Sequence, residues 1–237
     1  MITVVRDGAE HLERTILSVL EYPARIDYVI IDGLSGDGTQ RIIGRYADRL
    51  HYWISEKDQG IYHAMNKGWQ AARRESFILY LGAGDRLVSL PELAGRRSNE
   101  VLYGTVRSGK RAFHPKTGFH LKLYNSLHHQ ALLVNRMLHP EPPFDPRFPV
   151  YADFDFNQRL MKSGAEFVFA PDLACCVLPG GVSDAGGILE SLRVIRKNFG
   201  WCWAVSAWTA FLAVRTVPFL HRLRPFRERS LPAGQGE

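Results

Sequence analysis

Hydrophobic and polar residues alternate in two patterns between positions 2 and 85. Uninterrupted apolar runs, mostly β-branched or aromatic, predict buried strands at 2–5, 28–31, 52–55 and 77–81. Between these runs, apolar residues recur at helical spacing and predict helices with one buried face. The helical stripes are Leu12, Ile16, Val19 and Leu20, then Ile42, Ile43, Tyr46 and Leu50, then Ile61, Met65, Trp69 and Ala72. This alternation predicts an α/β domain built on a parallel, doubly wound sheet.

The pattern becomes less regular after Pro91. Apolar runs predict further strands at 100–106, 131–134, 166–170 and 173–178. Positions 110–119 contain proline, glycine and basic residues, and are expected to form a hairpin or a flexible loop. Helices are expected at 152–163 and along the stripe Ile188, Leu189, Leu192, Ile195 and Phe199. Pro23 is expected to end the first helix of the chain, and 179–183 to form a tight turn.

Acidic residues follow three of the predicted strands. Asp32 ends the second strand, Glu56 and Asp58 follow the third, and Asp85 follows the run at 77–81 after two glycines. Right-handed crossovers bring the carboxyl ends of parallel strands to one edge of the sheet, where ligands bind in such folds. Converging carboxylates are costly unless a metal or a polar ligand meets them. The set therefore indicates a binding site, although each aspartate alone also fits a loop cap or an Asx turn.

Charge and cysteine content narrow the range of partners. The 237-residue chain has a formal net charge of +6, and the basic residues of 191–237 account for all of it. This distribution argues against a nucleic-acid groove across the domain and for a local anionic contact. Three cysteines, with Cys175 and Cys176 adjacent, show no metal-ligand spacing and fit a reducing compartment. Because the first residues also lack a secretory signal pattern, we expect a cytoplasmic protein.

Five sequence blocks resemble those of family 2 glycosyltransferases. Residues 32–39, Asp-Gly-Leu-Ser-Gly-Asp-Gly-Thr, are similar to the family's "IDGxSxDGT" segment. Residues 56–68, Glu-Lys-Asp-Gln-Gly-Ile-Tyr-His-Ala-Met-Asn-Lys-Gly, are similar to its "ExDxGIYDAMNKG" block. His129-Gln130, 152–155 and 180–183 also match in order and spacing, so the resemblance extends over about 2–185. It implies a GT-A (Rossmann-like) fold, with a mostly parallel central sheet flanked by helices. The subgroup implied makes bacterial exopolysaccharide, capsule or lipopolysaccharide linkages.

The resemblance implies a role for each matching residue. It implies an inverting transfer of a sugar from a nucleoside-diphosphate sugar to a hydroxyl of a glycan or a lipid-linked acceptor. Asp153 matches the general base, which removes the proton of the attacking hydroxyl. Asp85 matches the second acid of the metal-binding motif, where Mg²⁺ or Mn²⁺ would neutralise the diphosphate leaving group. The donor or nucleotide would contact Thr3, Asp32, Ser35, Asp37, Asp58, Asn66, Lys67 and Asp85, and the sugar or acceptor would contact His129 and Gln130.

Several alternatives stay open at the level of residues. Asp153 also fits a helix N-cap, and Asp155 is a rival base. Lys67 also fits a solvated helix charge, and His129 also fits a packed polar residue beside a strand. Gly84 stands where many relatives carry an acid, and Gly82 where an asparagine is usual, which puts tight metal binding in doubt. A non-catalytic protein that binds nucleotide sugars or glycans is therefore one alternative function. A nucleotidyltransferase is another, although Arg6-Asp7-Gly8 is a poor phosphate loop.

The C-terminal segment is the last feature of the sequence. Positions 201–214 carry no charge, include Trp201, Trp203 and Trp208, and have basic residues on both sides. Tryptophan and arginine beside an apolar helix suit the headgroup layer of an anionic membrane. We expect 201–229 to attach the protein peripherally to the inner face of the cell membrane. A packing or homodimer helix and a true membrane span are the alternatives. The expected organisation is a GT-A domain at 1–185, a basic helical extension at 186–229 and a flexible tail at 230–237.

Overall fold

The computed structural model describes residues 1–22, 26–109, 111–178 and 187–222, with side chains up to 213. The expected helix end at Pro23, the turn at 179–183 and the tail at 230–237 lie outside the described residues. The strands are β1 (Ile2–Val5), β2 (Val29–Asp32), β3 (Tyr52–Ser55), β4 (Phe77–Ile78), β5 (Tyr80–Gly82), β6 (Arg86–Ser89), β7 (Glu100–Ser108), β8 (Arg111–Phe113), β9 (Leu132–Asn135) and β10 (Glu166–Cys176). The helices are α1 (Leu12–Leu20), α2 (Thr39–Arg45), α3 (Ile61–Ala71), α4 (Phe119–Leu123), α5 (Ala152–Lys162), α6 (Ile188–Phe199) and α7 (Trp201–Arg222).

The N-terminal half forms the predicted parallel sheet. Its four strands have the order β3-β2-β1-β5, and every pair in it is parallel. Helix α3 covers one face of this sheet, where Gly68 lets the helix approach Ile2 closely. Helix α1 buries the predicted stripe of Leu12, Ile16 and Val19 in a separate core. Local apolar periodicity therefore predicted the first three strands of this sheet and the helices between them.

The run at 77–81 is not one strand, as the sequence predicted, but two strands in two sheets. Strand β4 pairs antiparallel with β9, whereas β5 pairs parallel with β1. The change of partner occurs at Leu79, which is fully buried between them. Asp85 thus follows the last strand of the parallel sheet, at the edge where the sequence placed it.

A second, mostly antiparallel sheet carries the other half of the molecule. Its order is β4-β9-β7-β10-β6, with β8 added to β7 as one arm of a hairpin. The two strands predicted at 166–170 and 173–178 are one strand, β10, whose register shifts between Phe169 and Ala174. Pro171 lies in the shifted segment and has no N–H to donate to the ladder. Gly104 of β7 faces the bulge, and a Cβ there would lie 2.0 Å from the Leu173 carbonyl oxygen.

The described part of the C-terminal helices packs on the domain through a small set of buried residues. Val194 and Ile195 of α6 and Ala204 and Ala207 of α7 belong to the same buried cluster as Ile2 and Val4 of β1. Trp203 packs on this cluster, and the Lys122 ammonium lies 4.7 Å from its ring centroid. Among the helices that the structure describes, none combines the length and the apolar character needed to cross a membrane.

Candidate functional site

The carboxyl end of β2 is organised around Asp32. One oxygen of its fully buried carboxylate accepts hydrogen bonds from the Ser35 N–H, at 3.1 Å, and from the Ser55 hydroxyl. The other oxygen accepts from the Ser35 hydroxyl. Asp32 and Ser35 therefore fix the loop that follows β2 and tie it to the end of β3. Ser55 was missed by sequence reasoning, because a serine that ends a strand carries no signal of its own.

Asp37 ties the same loop to the loop that follows β1. Its carboxylate accepts from the Thr39 N–H at 3.0 Å, the Thr39 hydroxyl at 2.6 Å and the Ala9 N–H at 2.9 Å. These hydrogen bonds, the one from the Thr39 hydroxyl above all, lower the pKa of Asp37. The N–H groups of Asp7 and Gly8 donate to the side chains of Ser35 and Thr39. The backbone donors after β1 are thus engaged within the protein.

Thr3 is not on the surface of this site. It is fully buried in β1, and its hydroxyl shares a 2.9 Å hydrogen bond with the Tyr28 hydroxyl. Burial raises the pKa of Tyr28 above its usual range, which keeps that phenol neutral. The structure therefore does not bring Thr3 together with the carboxylates of the sheet edge.

A second group of charges lies where β3 ends and α3 begins. The Lys67 ammonium lies 2.6 Å from an oxygen of Asp58 and 2.7 Å from an oxygen of Glu56. Partial burial alone would lower the pKa of Lys67, but hydrogen bonds to these two carboxylates raise it overall. His63 approaches the same Asp58 oxygen at 3.1 Å. The other Asp58 oxygen is buried and has no hydrogen-bond partner among the described residues, and it faces Gly33.

The Asn66 side chain is hydrogen-bonded to the backbone of Phe144. Its amide donates to the Phe144 carbonyl oxygen at 2.8 Å and accepts from the Phe144 N–H at 3.0 Å. Both polar ends of the side chain are therefore used to hold the loop that leads into α5. Asp153 lies in the first turn of that helix.

Asp85 lies in a tight turn in which two positions, Gly82 and Gly84, leave little space for a side chain. The Gly82 N–H donates to the Asp85 carboxylate at 2.8 Å, and a Cβ at Gly82 would lie 3.2 Å from the same oxygen. Gly84 has φ +101°, and a Cβ there would lie 2.2 Å from the Leu178 side chain. Burial raises the pKa of Asp85, and the Gly82 N–H, His129 and Gln130 partly oppose that rise. The backbone conformation and the contact with Leu178 thus require glycine at position 84, independently of any effect on metal binding.

The turn that contains His129 and Gln130 connects Asp85 to Asp153. The Gln130 side chain opposes the rise in the pKa of Asp85, while its own amide oxygen is buried without a partner among the described residues. His129 Nδ1 lies 3.4 Å from an oxygen of Asp153, and its ring also acts on the charge of Asp85. The structure therefore brings Asp85, His129, Gln130 and Asp153 to one location.

Asp153 begins α5 but does not act as its N-cap. The cap residue is Tyr151, and the Asp153 carboxylate accepts from the Tyr62 hydroxyl at 3.2 Å and from the Asn125 amide at 3.2 Å. Burial and the nearby Asp153 charge raise the pKa of Tyr62, so this phenol stays neutral, and its one proton is shared between Asp153 and the Val150 carbonyl oxygen, which lies 2.7 Å away. Tyr62 lies in a recognised sequence block, but Asn125 has no motif that could have found it.

The rival base, Asp155, lies against α6 and not beside His129. It is 0% exposed, and its carboxylate forms ion pairs with Arg159 at 2.8 Å and Lys197 at 2.8 Å. The Asn198 amide adds a 2.9 Å hydrogen bond from α6. Asp155 therefore has its partners within the protein and presents no surface to a bound molecule.

The donor atoms around Asp85 are few, but they are of the kind that a divalent cation needs. The described residues contain no group of three or more histidine, cysteine or acidic side chains arranged to hold a metal. The Asp85 carboxylate and the unpartnered amide oxygen of Gln130 are hard oxygen donors, the kind that Mg²⁺ and Mn²⁺ prefer. This set fits a cation that takes few ligands from the protein and the others from a bound diphosphate and water.

The N-terminal part of the chain matches a known sequence family. Residues 1–86 match the sequence model of "Glycosyl transferase family 2". A "PGL/p-HBAD biosynthesis glycosyltransferase" of Mycobacterium bovis is 31% identical over 153 residues, which are 59% of this chain and 59% of that relative. The chain thus aligns with less than two thirds of the length of this curated relative.

Solved structures share the fold. S. aureus TarS 1-349 in complex with UDP-GlcNAc has a TM-score of 0.60 at 12% identity, over 82% of this chain and 63% of that chain. The mannosyltransferase PcManGT from Pyrobaculum calidifontis, in complex with GDP-Man and Mn²⁺, has a TM-score of 0.56 at 16% identity. That match covers 95% of this chain and 81% of the mannosyltransferase. At such low identity the likeness is one of fold, and it confirms the predicted GT-A architecture.

Proposed function

We propose that this protein, whose residues 1–86 match the family 2 glycosyltransferase sequence model and whose fold is of the GT-A type, transfers a sugar from a nucleoside-diphosphate sugar to an acceptor hydroxyl. The observation that carries the proposal is the approach of two carboxylates, Asp85 and Asp153, to the same His129-Gln130 turn. Asp85 lies where the charge of the leaving diphosphate must be stabilised, and Asp153 lies where the attacking hydroxyl must lose its proton. These are the two requirements of the reaction.

The nucleotide binds at the group formed by Asp58, Lys67 and the loop after β2. The unpartnered Asp58 oxygen accepts a hydrogen bond from an N–H of the base, which removes the cost of leaving a buried carboxylate oxygen without a donor. Gly33 keeps this position open, since a side chain there would approach the same oxygen. Lys67 holds Asp58 in place and supplies positive charge close to the donor.

Asp153 is the general base. Tyr62, Asn125 and His129 hold its carboxylate, which removes the proton of the acceptor hydroxyl as the oxygen attacks the anomeric carbon. Attack on the face opposite the diphosphate inverts the configuration at that carbon. Inversion is further supported by Asp155, the next acidic residue of α5, because it is paired and fully buried and so cannot serve as a second nucleophile.

Asp85, with the Gln130 amide oxygen, would hold Mg²⁺ or Mn²⁺ beside the diphosphate. Such a cation supplies charge that stabilises the departing diphosphate without a proton transfer. Burial raises the pKa of Asp85, so the ionised carboxylate is poorly stabilised without a partner and gains from a neighbouring cation. The acceptor is a glycan or a lipid-linked molecule, as the sequence subgroup suggests.

The two alternative functions have less support. Gly84 was the feature that favoured a non-catalytic binding protein, but its φ of +101° and its contact with Leu178 give it a local structural cause. A nucleotidyltransferase needs free backbone N–H groups after β1 to bind phosphates. Those of Asp7, Gly8 and Ala9 are already donated to Ser35, Thr39 and Asp37.

A donor panel tests the proposal. The protein is incubated with UDP-, GDP- and dTDP-sugars in the presence of Mn²⁺, Mg²⁺ or a chelator, and release of the nucleoside diphosphate is measured. We expect release from one class of donor, and only with a metal. Donor binding without release under every condition would favour the binding-protein alternative. Neither binding nor release with any donor would contradict the proposal altogether.

A further inference from the structure

Helices α6 and α7 form an apolar groove on the outer surface of the molecule. Its volume is about 300 Å³, and its walls are Leu189 and Leu192 of α6 and Trp201, Val205 and Trp208 of α7. Leu189 is 65% exposed, Trp201 68% and Val205 57%. Contiguous exposed side chains of this size mark an interaction surface, because scattered single apolar residues are the norm elsewhere.

The exposed residues of α7 form one continuous stripe. Trp201, Val205 and Trp208 are spaced four and three positions apart, which places them on one face of the helix. Ala204 and Ala207, on another side of the same helix, are buried against the domain. The helix thus has an apolar face for packing and a second apolar face directed to solvent.

The rim of the groove is cationic. Arg193 and Arg196 line it together with the apolar residues, and the Arg196 guanidinium carbon lies 4.8 Å from the centroid of the Trp201 ring. Among the residues described, neither arginine has a carboxylate as an ion-pair partner, and no acidic residue lines the groove. Glu190, the acidic neighbour on α6, is used elsewhere, since it accepts hydrogen bonds from the N–H groups of Val150 and Tyr151.

This charge pattern decides which partner fits. In a two-fold dimer the groove would meet its own copy, so Arg193 and Arg196 would face the same arginines without a carboxylate to balance them. Apolar side chains rimmed by arginine and tryptophan instead match the boundary between acyl chains and anionic headgroups. The entire net charge of the chain resides in 191–237, which strengthens attraction to such a surface.

We propose that this groove docks the protein on an anionic lipid bilayer. Leu189, Trp201, Val205 and Trp208 enter the interface between headgroups and acyl chains, while Arg193 and Arg196 contact lipid phosphates. The helices lie along the surface and do not cross it. The anionic cytoplasmic leaflet is the surface that fits. This inference is independent of the sugar-transfer reaction, because none of these residues belongs to the candidate site.

Vesicle binding by the full chain tests the inference. The protein is sedimented with vesicles of phosphatidylcholine alone or of phosphatidylcholine with phosphatidylglycerol, at low and at high salt. We expect binding to the anionic vesicles only, with a loss at high salt because the contact is partly electrostatic. Brominated lipids should quench tryptophan fluorescence, and Trp201→Glu should reduce that quenching.

Matched variants distinguish binding through this groove from nonspecific adsorption of the protein to vesicles. Leu189→Glu with Trp201→Glu should abolish vesicle binding, whereas Met137→Glu, which alters a 62% exposed apolar residue outside the groove, should not. Arg193→Gln with Arg196→Gln should weaken binding to anionic vesicles by about thirtyfold, from the usual contribution of each basic residue near such a surface. All these variants should keep the wild-type rate of donor hydrolysis.

Three results would overturn the inference. The first is the absence of binding to anionic vesicles by the wild-type protein. The second is equal binding to neutral and anionic vesicles, or binding by the groove variants that is as strong as that of the wild type. The third is a stable dimer by sedimentation equilibrium that Leu189→Glu with Trp201→Glu converts to a monomer, which would assign the groove to a second copy of this chain.

Discussion

The Lys197 ammonium lies 2.8 Å and 2.9 Å from the two carboxylate oxygens of Asp155. Arg159 of the same helix and Asn198 of α6 complete the partners of this carboxylate. The contact therefore joins α5, the helix that begins beside Asp153, to the first C-terminal helix. It gives the two neighbouring aspartates different tasks: Asp155 fixes the helix, and Asp153 faces the site.

Asp155→Asn should destabilise the protein. Removing the charge leaves Lys197 and Arg159 without their buried partner, and breaking such a pair costs about 3–5 kcal/mol. Urea denaturation at neutral pH measures this loss as a lower free energy of unfolding. Asp172→Asn is the control, because Asp172 is exposed and its replacement should change stability by less than about 0.5 kcal/mol. Equal stability of the two variants would mean that the Asp155 contact does not hold α6 to α5.

Asp153→Asn should remove activity and leave the fold intact. Asparagine keeps the shape of the side chain but cannot take the proton of the acceptor, so transfer should fall by about 10²–10⁴-fold. Donor affinity, measured by calorimetry with a nucleoside-diphosphate sugar, should stay close to that of the wild type. A variant with near-normal turnover would show that another group is the base.

The sequence predicted the parallel sheet and the meeting of Asp85, His129, Gln130 and Asp153, because both follow from local periodicity and matched blocks. It could not choose between Asp153 and Asp155. That choice depends on Lys197 and Asn198, which are about forty residues away and approach only through packing of α6.

One error and two unforeseen partners have the same origin in long-range contacts. The run at 77–81 reads as one strand, but its two halves find partners in different sheets. Asn66 was expected near the donor, yet its amide is used by Phe144 in a distant loop. Thr3 was expected near the nucleotide, yet it is buried beside Tyr28. Apolar and polar spacing does not specify any of these pairings.

Gly84→Ala should destabilise the turn that carries Asp85. The backbone at Gly84 has φ +101°, and the new methyl group would lie 2.2 Å from Leu178 Cδ1 and 3.3 Å from His11 Cβ. Strain of this kind costs about 1–3 kcal/mol before the steric clash is added. Thermal unfolding measures it, and Gly44→Ala is the control. Gly44 lies within α2 with open space around it, so alanine there should preserve or raise stability.

Stability should fall between neutral and mildly acidic pH because of His139. Burial lowers the pKa of His139 to about 3, and its ring packs against Trp69 and Phe156. In the unfolded chain this imidazole has its ordinary pKa of about 6.5 and takes up a proton first, so the stability it supports is complete above that pH and is lost as pH falls toward 3. From pH 7 to pH 5 the loss should reach about 2 kcal/mol.

Urea denaturation at the two pH values checks this expectation. His139→Gln should show a smaller decrease in the free energy of unfolding between pH 7 and pH 5 than the wild type. His114→Gln, at an exposed histidine, should show the wild-type decrease. If all three proteins lose the same stability, the pH dependence comes from other groups.

Asp85→Asn should abolish the response of the protein to a divalent cation. Burial raises the pKa of Asp85, so at neutral pH the ionised carboxylate destabilises the folded state. Asparagine should therefore leave the metal-free protein at least as stable as the wild type.

Mn²⁺ with a nucleoside diphosphate should raise the melting temperature of the wild type, because a ligand that binds only the folded state stabilises it. The Asp85→Asn variant should show no such rise. Asp172→Asn is the control: Asp172 is exposed and lies outside the site, so this variant should still respond to Mn²⁺. A full thermal response in Asp85→Asn would assign the cation to other ligands.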